Sequence, residues 1–192
     1  DERHEEEMME ALKMLDTVLP DILKPVKTAS AYEYNEKYTD SITDLSPGFN
    51  PSVNWNKISN ERRSKGQKTT FYLCEWPKPP SANNFLCSPT HESKWVGWYA
   101  AANGLDGFLR WAFDSWPKDP LLCGDFPGPH GHWPAGDTFL CYPNGWGSRR
   151  LAMLREGIQD YEKLKILKDI CGTQFVDSIL SPFIHSSIIP LK

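Results

Sequence analysis

Apolar positions along the chain change period several times, and each change marks an element. Met8, Leu12, Leu15 and Leu19 recur every three or four residues behind the acidic run Glu5, Glu6, Glu7. That spacing predicts an amphipathic helix with carboxylates at its positive end. Pro20 and Pro25 bracket its stop. Residues 26–32 and 41–45 are two short strand candidates. Residues 53–65 predict a modest helix, with Trp55 and Ile58 inward and Gly66 ending it. KTTFYLCEW, residues 68–76, predicts a buried strand. Residues 77–90 are rich in proline and asparagine and predict a long loop. Trp95, Trp98 and Tyr99 return to helical spacing, and Asn103-Gly104 supplies a left-handed helix end. Residues 108–113, mostly apolar and aromatic, predict a strand covered on both faces. A second long loop reaches Gly136, and residues 137–143 predict another extended segment. Residues 148–169 predict the longest helix, stopped at Gly172, while 171–192 has no clear pattern.

Helix and strand signals alternate, which predicts an α/β fold with a parallel sheet. Strands near 26, 41, 68 and 108, each followed by helix or loop, amount to about half of a (β/α)8 TIM-like barrel. Two strands share an ending: Glu75-Trp76-Pro77 and Asp114-Ser115-Trp116-Pro117 each place an acid and an indole before a proline. In α/β folds, sites are built at such carboxyl ends. Trp111 and Asp114 have opposite parity, so one face can hold both only if a bulge or the strand's end intervenes.

Composition narrows the chemistry. A net charge of −4 over 192 residues leaves no electrostatic footprint for nucleic acid. No apolar run approaches a membrane span. There is no glycine-rich phosphate loop and no GxSxG elbow, and no cofactor is expected. The five cysteines are odd in number and lack CxxC spacing, so buried free thiols are expected. His130 and His132 form an HxH pair without evident further ligands, so no metal is expected. Eight Trp, seven Tyr and nine Phe are either core packing or a wall of flat apolar faces for a sugar ring, and both readings stay open. Asp1-Glu2, read locally, are the acids of a helix start.

Four stretches carry a resemblance that no short motif could: FYLCEWPKPP with NNF, WVGWYAAANGLDGFLRWAFDSWPKDPL, WPAGDTFLCYP and LREGIQDYEKLKIL. Through them the chain, up to about residue 167, resembles the C-terminal part of the catalytic domain of glycoside hydrolase family 123. Known members of that family are β-N-acetylgalactosaminidases. The resemblance implies a retaining, substrate-assisted mechanism through an oxazoline, acting on glycans or glycoconjugates. The family's adjacent Asp-Glu pair at the end of the fourth barrel strand maps onto Asp1-Glu2. Glu2 would then be the general acid/base, and Asp1 would orient the substrate's 2-acetamido group. Tyr72, Glu75, Trp111, Asp114, Trp116, Trp133 and Asp137 are candidates for substrate binding: the indoles to stack on the sugar, the others to hydrogen-bond it. Residues 1–170 would be the C-terminal half, strands 5–8, of a (β/α)8 TIM-like barrel, with 171–192 as a tail. The N-terminal half of the same enzyme would complete the barrel, and the family suggests an extracellular or periplasmic site. The alternatives are a non-catalytic carbohydrate-binding or scaffold protein on the same fold, or a module whose aromatics are only core.

Overall fold

In the computed structural model, residues 5–22, 28–31, 34, 41–122, 126–128 and 131–184 are described. Four strands, β1 (Thr28–Ala31), β2 (Asp44–Pro47), β3 (Lys68–Leu73) and β4 (Gly107–Arg110), form one sheet in sequential order, every neighbour parallel. Parallel neighbours need a crossover, and α2 (Trp55–Ser64) and α3 (His91–Ala102) supply two of them. The fold is therefore α/β around a parallel sheet, as the alternating pattern predicts.

Side chains alternate across β3. Thr69, Phe71 and Leu73 are buried, while Thr70 and Tyr72 are only partly covered. Phe71 packs on Tyr99 of α3 and on Phe108 of β4, with ring centroids 4.9 and 5.3 Å apart. Trp95, Tyr99 and Phe49 complete an aromatic core between sheet and helices. The opposite face of the sheet is open: Leu109 and Trp111 are 37% and 39% exposed. The sequence predicts β4 as covered on both faces; among the described residues only the helix-side face is.

The helices follow their local chemistry. In α1 (Glu5–Val18), Leu12 is buried against Ile42 and Leu45, with Met8 and Met9 beside it. Asn54 caps α2 by accepting from the Lys57 N–H, and Ser148 caps α4 (Arg149–Cys171) by accepting from the Leu151 N–H. Gly104, at φ +63°, carries the left-handed turn after α3, while Asn103 does not. Helices α3 and α4 cross on two glycines. A Cβ on Gly97 would collide with the Gly157 carbonyl, and one on Gly157 would lie 2.5 Å from the Lys94 carbonyl oxygen. The segment after Cys171 forms α5 (Thr173–Leu180), whose Val176 and Leu180 bury against Ala101, Ala102 and Leu164.

Both site-bearing strands are shorter than their apolar runs predict. β3 ends at Leu73 and β4 at Arg110, because the chain beyond them turns to other partners. Asp114 pairs antiparallel with Phe139, Ser115 N–H bonds Thr138 O, and Leu140 N–H bonds Phe113 O. With β4 ending at Arg110, neither Trp111 nor Asp114 lies on the strand, and the two go to different partners, Asp137 and the Phe139 segment. The loop predicted before Gly136 contains a hairpin, β5 (Phe126–Gly128) with β6 (Gly131–Trp133). The extended segment predicted over 137–143 is regular only at β7 (Cys141–Tyr142), paired with β8 (Trp146–Gly147). No described helix is long and apolar enough to cross a membrane.

Candidate active site

A hollow of about 360 Å³ lies beyond the carboxyl ends of β1, β2 and β3. It falls in the range of small-molecule sites, ~300–1,000 Å³. Tyr34, Gly48, Phe49, Asn50, Tyr72, Cys74, Trp76 and Ser81 are among its walls. The floor between β2 and β3 is continuous, because Phe49 N–H donates to Tyr72 O at 3.0 Å and Gly48 bridges Tyr72. Tyr72 lies on the open face of β3 and reaches the hollow by alternation. Trp76, 57% exposed, stands at its rim. Burial pushes the Cys74 thiol up, with a backbone hydrogen bond offsetting part of that. The wall is thus a neutral thiol, a phenol, amides and flat rings, a lining suited to an uncharged polar molecule with apolar faces.

Next to the hollow stands a second group, built on Arg110. This arginine is the last residue of β4, and its side chain is 3% exposed. A buried cation needs partners on every side, and it has them. Nη2 donates to Asp137 Oδ1 at 2.7 Å, Nε to the Asp137 carbonyl at 3.0 Å, and Nη1 to Asn83 Oδ1 at 2.9 Å. Asn83 in turn donates to the carbonyls of Cys74 and Pro77, at 3.0 and 2.8 Å. Its N–H donates to Glu92 in the first turn of α3 at 2.9 Å. The second oxygen of Asp137 accepts from the Trp111 indole N–H at 2.9 Å. Trp111 then packs on Trp133, with centroids 4.7 Å apart and planes at 55°. Burial pushes the Asp137 carboxyl up; the Arg110 guanidinium and the Trp111 indole offset part of it.

Arg150 braces the same loops from below, donating to the carbonyls of Asn84 and Gly136. Burial and the nearby Arg110 charge lower its pKa to about 10. Gly136, at φ +83°, leaves the room it needs; a Cβ there would sit 2.8 Å from Arg150 Nη1.

The predicted site residues fall into separate places. Tyr72 lines the hollow. Trp111 and Trp133 form an aromatic corner on the Arg110–Asp137 network, and neither is among the described walls of the hollow. Asp137 is fully buried, both oxygens committed to Arg110 and Trp111, so it is not placed to hydrogen-bond a sugar hydroxyl as the sequence led one to expect. Glu75 is exposed, directly after Cys74. Asp114 and Trp116 lie further along, on the antiparallel patch; Trp116 donates its indole N–H to Cys141 O at 2.8 Å and stays 38% exposed. Asp1 and Glu2 lie outside the described residues, as do Cys123 and His130. Among the described residues no three or more His, Cys, Asp and Glu side chains gather as a metal site. Cys74, Cys87, Cys141 and Cys171 are free thiols; Cys87 and Cys171 are exposed, where burial was expected.

Sequence reasoning missed Cys74, Asn83 and Arg110 and left Trp76 out of the site. The signal for Arg110 was present: a cation inside the apolar run FLRWAF must be paired. For Trp76 it was the acid-indole-proline ending shared with Trp116.

The structure thus defines an α/β protein with a small-molecule hollow and an aromatic rim at the carboxyl ends of parallel strands. Residues 1–167 match the family described as glycoside hydrolase 123, catalytic domain. The chain belongs to glycoside hydrolase family 123, as the resemblance in its residues implies. Among solved structures it is similar to a family 123 glycoside hydrolase from Clostridium perfringens, solved in a study of glycolipid glycan hydrolysis. The TM-score is 0.77 and the identity 25%, covering 100% of this chain and 34% of that one. No curated protein matches the chain.

Proposed function

We propose that the protein hydrolyses glycosides, releasing terminal N-acetyl-β-galactosamine from glycoconjugates with retention of configuration. In this proposal β1–β4 are strands 5–8 of a (β/α)8 barrel, residues 1–170 form its C-terminal half, and an N-terminal half of the same enzyme closes it. Glycolipid glycans, named for the Clostridium protein, are one class of substrate that fits.

The observation that carries the proposal is the hollow walled by Tyr72 and Trp76 at the carboxyl ends of a parallel sheet, in a chain of this family. The sugar would lie over Tyr72, with Trp111 and Trp76 offering apolar faces to its ring. Glu2 would protonate the leaving oxygen, then take a proton from water. Asp1 would hold the acetamido group, whose carbonyl oxygen attacks the anomeric carbon to form an oxazoline. Substrate assistance of this kind departs from the usual pair of flanking carboxylates. It suits two adjacent acids, which can serve neighbouring atoms of one sugar but cannot flank a bond. The attacking oxygen is already part of the substrate, so proximity supplies much of the rate.

Glu2→Gln in the full-length protein tests this. Hydrolysis of an aryl N-acetyl-β-galactosaminide should fall by on the order of 100-fold or more. Unchanged hydrolysis would refute the proposal, and binding of the sugar without turnover by the unsubstituted protein would favour a carbohydrate-binding scaffold.

A further inference from the structure

Arg110 ends a strand of the sheet, yet its side chain is tied to two residues each 27 positions away, Asn83 and Asp137. Those two sit on different loops. Asn83 belongs to the connection between β3 and α3, and Asp137 to the one between β4 and α4. Among the described residues, the ring that this network hydrogen-bonds is Trp111, through Asp137 Oδ2. Arg110 and Asp137 are 3% and 0% exposed, so neither side chain can meet a ligand itself. Trp111 is 39% exposed and can.

We infer that Arg110 is the positioning residue of the rim: its fork holds Asp137, and Asp137 sets the angle of the Trp111 indole. The inference deepens the proposed function and rests on it for its kinetic part alone. The chemistry requires this pair of residue types. A carboxylate has one oxygen for the guanidinium and one for the indole. In Asp137→Asn the amide nitrogen must face one of two donors, so one bond becomes a donor-donor clash. In Arg110→Lys the charge stays, but one ammonium cannot reproduce the fork that spans Asn83, the Asp137 carboxylate and the Asp137 carbonyl. Trp111 should then swing away from Trp133, with the fold retained.

The test uses the full-length protein labelled with 5-fluorotryptophan. The ¹⁹F resonance of Trp111 is assigned by its loss in Trp111→Phe. Arg110→Lys and Asp137→Asn should each move that resonance, and should lower kcat/KM on the aryl N-acetyl-β-galactosaminide by on the order of 10- to 100-fold, mostly through KM. In the Trp111→Phe background, Asp137→Asn should cost little more, since residues acting as one unit are not additive. The inference is overturned if the Trp111 resonance stays in place in both variants, or if the Asp137→Asn and Trp111→Phe losses multiply. Should Asp137→Asn not fold, Arg110→Lys carries both readouts. Should the unsubstituted protein not turn the substrate over, the proposed function fails, and the resonance still decides whether Arg110 positions Trp111.

Discussion

Two buried arginines stand at opposite ends of the same sheet, and their partners differ in kind. Arg62, 2% exposed, is at the amino ends of β2 and β3. It donates to the Thr69 hydroxyl at 2.9 Å and to the carbonyls of Ile42 and Lys68 at 3.0 Å. These partners belong to β3 and to the entrance of β2. Around them Asp106 ties β3 to β4, accepting from Thr69 N–H at 2.8 Å and donating its own N–H to Thr69 O at 2.7 Å. Arg110, at the carboxyl ends, reaches instead into two loops and, through Asp137, onto an exposed indole. The same cation staples a floor in one place and aims a side chain in the other. The difference teaches that burial of a charge does not itself say whether a site is structural; what lies one bond beyond its partner does.

The comparison can be broken from either side. Arg62→Met leaves the Ile42 and Lys68 carbonyls and the Thr69 hydroxyl without this donor. It should destabilise the protein by about 3–5 kcal/mol, read by thermal or urea unfolding. If Arg62→Met unfolds no more easily than Arg110→Lys, the floor and the rim are not distinct. The helix layer behind both ends should be nearly as sensitive. Gly97→Ala drives a methyl into the Gly157 carbonyl and should cost about 1–3 kcal/mol, again by unfolding. Trp111→Ala should show the reverse pattern: a loss in kcat/KM of on the order of 10- to 100-fold, with a smaller stability cost of about 1–3 kcal/mol, because the ring is 39% exposed but Asp137 Oδ2 loses its indole donor. A large drop in stability there would make the indole a core residue.

The smallest effect concerns pH. Asp160 accepts from the Trp98 indole at 2.9 Å and pairs with Lys94 at 3.0 Å and Lys163 at 3.3 Å. Burial opposes its ionisation, yet those three bonds together hold its carboxyl below the usual range. A depressed carboxyl stabilises the fold above its unfolded pKa, about 3.9, and that contribution is lost as pH falls through the lower folded value. Asp160→Asn should therefore remove less than about 1 kcal/mol near neutrality. It should also flatten the acid side of a stability-against-pH curve; an unchanged acid limb would contradict this.

Much of this was legible in the residues. Helix α1 followed from the Met8–Leu12–Leu15–Leu19 spacing, and α4 from the pattern over residues 148–169 and its Gly172 stop. The two buried strands were placed by their apolar runs, because burial on the helix side dictates composition. Their carboxyl ends were not placed, because Cys74 and residues 111–113 remain apolar after the backbone has left the sheet. The antiparallel patch at Asp114 and Phe139 depends on pairing across a long loop, which no local pattern records. The candidate site was legible in its residue types and less so in their partners. Tyr72, named near a strand end, lines the hollow; Trp111, named on a strand, and Trp133, named on a loop, pack on each other. Asp137 was named for its acid and turned out to be spoken for. A sequence shows that a carboxylate exists, not that both its oxygens are taken.

The most direct measurement is a crystal structure of the full-length protein soaked with an N-acetylgalactosamine thiazoline, a stable mimic of the oxazoline. The account predicts the sugar over Tyr72, its ring against Trp111 or Trp76, and the Asp1 and Glu2 carboxyls on its acetamido group and anomeric side. A thiazoline bound away from Tyr72, or Asp1 and Glu2 at the opposite end of the sheet, would contradict it.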